Sequence, residues 1–100
     1  GIYVMIIYDE NLYKLKLFYQ CKDRCDDWYN VSKSVIIDAD LTEYVSDQMM
    51  NLIGKGDKNL INGLSEIGFT PALILPNTDR FKNIYLTRVS IKIIKRFKKE

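Results

Sequence analysis

The sequence predicts a small α+β domain in two layers: an antiparallel or mixed sheet of about five strands, ordered β-β-β-α-α-β-β, with two helices on one face. Three observations carry that expectation. Period-two alternation marks both ends of the chain: Tyr13, Leu15, Leu17 and Tyr19 oppose Lys14 and Lys16, and later Ile84, Leu86, Arg88, Ser90 and Lys92 alternate with Tyr85, Thr87, Val89, Ile91 and Ile93. Between them lie two runs whose apolar residues recur every three or four positions, which is helical spacing. The composition, 47% hydrophobic and 28% charged, is that of a globular chain rather than a disordered one. One hundred residues suit a single domain, 1–100, able to bury its own core.

Residues 2–8 are β-branched and aromatic on both faces, as in a central strand, and Asp9, Glu10 and Asn11 then read as a hairpin turn. The alternation over 12–19 makes the second strand. A helix over 12–29 competes, since Leu15, Phe18, Cys25 and Tyr29 also fall near one helical face, but the regular alternation favours the strand. Residues 20–30 form a polar loop carrying Asp23, Asp26 and Asp27 beside Lys22 and Arg24. Residues 31–37 resume alternation as a third strand, with Val31, Lys33, Val35 and Ile37 on one side.

Asp38, Asp40, Thr42 and Glu43 precede an amphipathic run, so they predict a helix start in which carboxylates meet the positive end of the dipole. Leu41, Tyr44, Val45, Met49, Leu52 and Ile53 give that helix, 41–53, its apolar side, and Gly54 ends it. Asp57 is placed to cap a second helix, 57–67, built on Leu60, Ile61, Leu64 and Ile67 and closed by Gly68. A short apolar strand over 72–75 follows, bounded by Pro71 and Pro76, because proline cannot donate to a sheet ladder. The last strand spans 83–93, with 95–100 as a charged, frayed end or a final helical turn.

The most pronounced functional signal is charge. From Arg80 onward the chain holds eight basic residues (Arg80, Lys82, Arg88, Lys92, Lys95, Arg96, Lys98 and Lys99) against Glu100 alone, a charge of about +7. The first 79 residues carry seven basic and twelve acidic side chains, about −5, so a net charge of +2 hides two ends of opposite sign. Clustered cations displace counterions from phosphates, and Tyr85 and Phe97 are available to stack on bases. The expected function is a non-catalytic binding module whose basic C-terminal segment contacts nucleic acid or an acidic partner. A winged-helix arrangement is one way to present it: helices 41–53 and 57–67, then two strands joined by a loop holding Arg80 and Lys82. The alternative is a protein-protein docking or oligomerisation surface around Trp28 and Tyr29, meeting another protein or the parent chain itself.

Several chemistries are disfavoured. The chain has no histidine, so a Ser or Cys nucleophile would lack its usual base. Cys21 and Cys25 supply at most half of a structural zinc site, and no metal or cofactor is expected. Gly54, Lys55 and Gly56 lack the spacing of a phosphate cradle and read as a helix-to-helix turn. The longest apolar run, residues 2–8, is far shorter than the ~20 residues of a membrane-spanning helix, and no secretory leader is visible. An intracellular location follows as an expectation. The Gly-Ile start suggests a piece of a larger protein, and the abundance of Ile, Lys and Tyr over Ala suggests a viral or low-GC microbial source.

The strand ending in Tyr8-Asp9, with Ser34-Val35 and Leu41-Thr42-Glu43 further on, resembles the opening of the small metal-dependent nucleases of CRISPR adaptation modules. The resemblance covers about the first 43 residues. It implies Asp9 as a magnesium ligand, with Asp38 and Asp40 nearby, and a helix directly after the first strand. The alternation over 12–19 and the capping role of Asp38 and Asp40 oppose it, so metal-dependent cleavage ranks behind both binding readings.

Overall fold

The computed structural model describes residues 7–39 and 43–99, with the side chains of residues 12–37 and 46–94. The chain is α+β, in the order β1 (Ile7–Asp23), β2 (Trp28–Ala39), α1 (Glu43–Met50), α2 (Asp57–Ile67), α3 (Pro71–Ile74) and β3 (Phe81–Lys99). The three strands form one antiparallel sheet in the order β2-β1-β3. Three strands, rather than about five, is the first correction to the sequence reading.

The missing strands were lost in two ways. The acidic stretch Asp9 to Asn11 is no hairpin turn, because β1 runs straight through it: Asn11 pairs with Ala39 on one side and with Arg96 on the other. Pairing on both edges outweighs the turn preference of those side chains, although a register shift between Ile7 and Glu10 marks the place. The predicted strand 2–8 otherwise lies largely outside the described residues. The segment 72–75 is not a strand but most of the one-turn helix α3. Pro71 occupies its first turn, where the absent N–H costs nothing and the fixed φ is already helical. Without a strand there, the winged-helix arrangement fails as well.

The last strand is longer than predicted. β3 continues to Lys99, so residues 95–99 are neither frayed nor helical. Likewise, the loop expected over 20–30 shrinks to a tight turn, since β1 reaches Asp23 and β2 begins at Trp28. The Asp23 carboxylate accepts the backbone N–H groups of Cys25 and Asp27 at 2.9 and 3.0 Å, and Asp26 takes the left-handed φ of 66° that the turn demands. The N–H groups of Asp27 first, then Cys25, hold the Asp23 carboxyl below its ordinary range.

Both predicted helices form, but α1 ends at Met50 rather than at residue 53, and residues 51–54 follow it as turns. Residues 40–42 lie outside the described residues, while Asp38 belongs to β2 rather than to a cap. Asp57 opens α2, but its carboxylate does not cap that helix. It accepts from the backbone N–H of Ile84 at 3.1 Å and the Asn83 amide at 3.2 Å, locking α2 onto β3. Gly68, at φ 103°, closes α2 in the left-handed conformation expected of it.

The core follows from the alternation. The odd positions of β1 (Leu15, Leu17, Tyr19 and Cys21) are fully buried and pack in one cluster with the buried Phe81, Ile84, Leu86 and Val89 of β3. Met49, Leu52, Leu60, Leu64, Ile74 and Leu75, from the helices and the turns after them, complete this cluster. The Tyr19 hydroxyl donates to the Ile74 carbonyl and fastens α3 to the sheet. All three helices therefore lie against one face. The molecule is long, 63 Å by 20 Å by 18 Å, with a radius of gyration of 16.2 Å where a compact chain of this size gives about 13 Å. No helix among the described residues is long and apolar enough to cross a membrane.

Candidate nucleic-acid interface

The even positions of β1 point away from the helices, and β2 and β3 supply their neighbours through the register. Lys14 lies between Ile36 and Lys92, Lys16 between Ser34 and Ser90, Phe18 between Ser32 and Arg88, and Gln20 between Asn30 and Tyr85. Lys22 faces Trp28 and Asn83 at the hairpin end. These side chains are exposed or half-buried, and no described helix packs over them. None of them is acidic.

Cations and rings interleave along this face. The Arg88 guanidinium lies 4.2 Å from the centre of the Phe18 ring, and the Lys16 ammonium 5.1 Å from it. At the hairpin end Trp28 and Tyr85 approach to 6.1 Å between centroids, with Lys22 5.5 Å from the Trp28 ring. Beyond Tyr85, the Gly54–Gly56 turn and the first turn of α2 border the face and bring Lys55, Asp57 and Lys58 around an open depression. Gly54 and Lys55 hold this turn on β3 by backbone hydrogen bonds to Leu86. Gly56 leaves room for the Tyr85 ring, since a Cβ there would fall 2.3 Å from it and force the ring to shift. A second shallow depression, lined by Phe18, Asn30, Ser32, Thr87 and Arg88, lies at mid-face.

The eight cations singled out in the sequence fall into three groups. Arg88 and Lys92 lie on the open face. Arg80 and Lys82 belong to the hairpin end and are engaged within the chain: the Arg80 guanidinium is 4.8 Å from the Tyr29 ring and 5.0 Å from the Phe81 ring, and Lys82 pairs with Asp26. Lys82 first, and Lys22 at 3.6 Å, hold the Asp26 carboxyl below its ordinary range. Lys95, Arg96 and Lys99 occupy β3 opposite Leu12, Asn11 and Ile7, with Lys98 beside them; their side chains, like that of Phe97, lie outside the described residues.

Trp28 and Tyr29 do not share a surface. Successive residues of a strand point to opposite faces, so Trp28 joins Tyr85 on the open side while Tyr29 packs 5.9 Å from Phe81. Sequence reasoning passed over Lys14, Lys16, Phe18 and Lys22 as candidates, although the alternation had already set Lys14 and Lys16 on the polar side of the strand.

Neither cysteine is placed for chemistry with the other. Cys21 is buried in the core and Cys25 is exposed in the turn. Burial pushes the Cys21 thiol up to about 11, with the Arg80 charge pulling weakly the other way. Cys21 therefore stays protonated well above neutrality, and a disulfide-exchange reagent at pH ~8 is expected to modify one thiol in the native protein and two after unfolding. Equal, rapid labelling of both thiols in the folded chain would contradict this placement.

No group of three or more metal-ligating side chains occurs among the described residues. Asp9 sits within β1, not at a strand end, and β1 stays extended through Asp23 where the nuclease resemblance implies a helix. The chain matches no protein-family model, no curated protein and no solved structure.

Proposed function

We propose that this chain is a non-catalytic binding module that holds nucleic acid against the open face of its sheet. The observation that carries the reading is the interleaving of Lys14, Lys16, Arg88 and Lys92 with Phe18 on a face that no described helix covers. Lys14 and Lys92 stand directly opposite one another across the β1–β3 pair, a like-charge arrangement that costs stability in the free protein. Among the described residues none of these four cations has a carboxylate partner, so a line of phosphates would relieve their mutual repulsion and release its own counterions. The cations of β3 beyond Lys92 extend the same strand and add to its attraction for a polyanion.

The reading is tested by titrating labelled DNA and RNA at two salt concentrations. With about four phosphate contacts to a single strand, affinity is expected to fall about 50-fold between ~50 and ~200 mM salt. Absence of binding at the lower salt would end the proposal.

A further inference from the structure

We infer that the ligand of this face is a single-stranded nucleic acid, whose unpaired bases stack on two separate platforms: the Trp28–Tyr85 pair and the Phe18–Arg88 pair. The inference rests on the reading above and narrows it. At 6.1 Å between centroids and 35° between planes, the Trp28 and Tyr85 rings are too close to admit a base between them, which needs about 7 Å for two stacked contacts. They therefore offer one composite surface, and both rings remain open to solvent, at 49% and 36% exposure. At the other platform the Arg88 guanidinium already lies over Phe18, a geometry in which a planar cation extends the ring for a base to stack upon.

Spacing separates the two platforms. Trp28 is opposite Lys22 and Tyr85 opposite Gln20, whereas Arg88 is opposite Phe18, so the platforms lie two to four residues apart along β1, or about 7–13 Å. Two different bases of one strand would occupy them, with the backbone between crossing the polar row of Gln20 and Asn30 and with Lys22 at one end and Lys16 at the other. In a duplex the base faces are stacked on each other, and only backbone would meet these rings.

Trp28 is the single tryptophan of the chain, so its fluorescence reports on its own platform. The full chain is titrated with oligo-dT and oligo-rU of about 15 nucleotides, a DNA duplex of equal length, and inorganic polyphosphate as an anion without bases. Expected are quenching of Trp28 by the single strands, no quenching by polyphosphate, and weaker binding of the duplex. Trp28→Ala should weaken oligonucleotide binding, followed by anisotropy of a labelled strand, roughly 5- to 150-fold while leaving polyphosphate affinity unchanged, and Trp28→Phe should restore most of it. Salt-sensitive binding of every polyanion with Trp28 unquenched would overturn stacking and leave the electrostatic reading standing. Duplex binding as tight as that of the single strands would likewise overturn it. Failure of all four probes to bind would remove both.

Discussion

Leu17→Ala is expected to lower the unfolding free energy by about 2–5 kcal/mol, the cost of deleting a fully buried leucine and leaving part of its volume empty. Leu17 has no exposed surface, sits in the central strand between Lys33 and Val89, and belongs to the one apolar cluster that joins sheet and helices. In a domain whose total stability is about 5–15 kcal/mol the change is large, equivalent to roughly 10–30 °C in melting temperature. The next residue gives the contrast. Phe18 lies on the opposite face and is half-buried, so Phe18→Ala should cost about 1 kcal/mol or less in stability and should instead weaken nucleic-acid binding. Thermal melts of both variants separate the faces. Equal destabilisation by the two would mean that the open face is covered in solution.

Replacing Lys16 and Arg88 together by glutamine is the second change with a large expected effect. Both contact Phe18, one from the central strand and one from β3, and together they form the charged centre of the proposed interface. Losing two phosphate contacts should reduce the salt slope for single strands by about 1.4 and weaken binding about 50-fold at ~50 mM salt. The fitting control removes the same charge elsewhere. Lys33 stands opposite Leu17 on the helix-bearing side of the sheet, and Arg24 lies in the hairpin turn. Lys33→Gln with Arg24→Gln should therefore keep most of the affinity. Equal losses in the two double variants would show that overall charge, rather than this face, attracts the ligand.

Much of the fold was legible because burial follows local periodicity. The alternation of Tyr13, Leu15, Leu17 and Tyr19 predicts a half-buried strand, and these four side chains are buried. Leu60 and Leu64 are equally readable, as is Gly68 at the end of α2. The misreadings occurred where a local preference met a long-range one. Asp9, Glu10 and Asn11 favour a turn in isolation, yet chain on both sides holds Asn11 extended. Ala72, Leu73 and Ile74 carry no period of their own, and the proline before them decided for helix.

The candidate site was harder to see for a geometric reason. Phe18 and Arg88 are seventy positions apart, as a comparison of their numbers shows, and Trp28 and Tyr85 nearly as far. Their meeting depends on register, which one strand's pattern does not contain. The sequence also yields two faces for each strand without saying which one the helices will cover. The density of cations after Arg80 is the loudest signal in the sequence, whereas the structure distributes that charge among the hairpin end, the open face and the far reach of β3.

The placement of β1 between β2 and β3 has a kinetic consequence. The hairpin of β1 and β2 closes over a four-residue turn and can form early, but it supplies only one wall of the core. Phe81, Ile84, Leu86 and Val89 arrive with β3, which pairs with β1 from the opposite end of the described chain, Ile7 meeting Lys99. Closing so wide a loop costs entropy before any contact repays it, which puts this chain among slow folders for its size. Until that closure, the apolar side of the hairpin stays wet, and a newly made chain is at its most vulnerable to sticking to others.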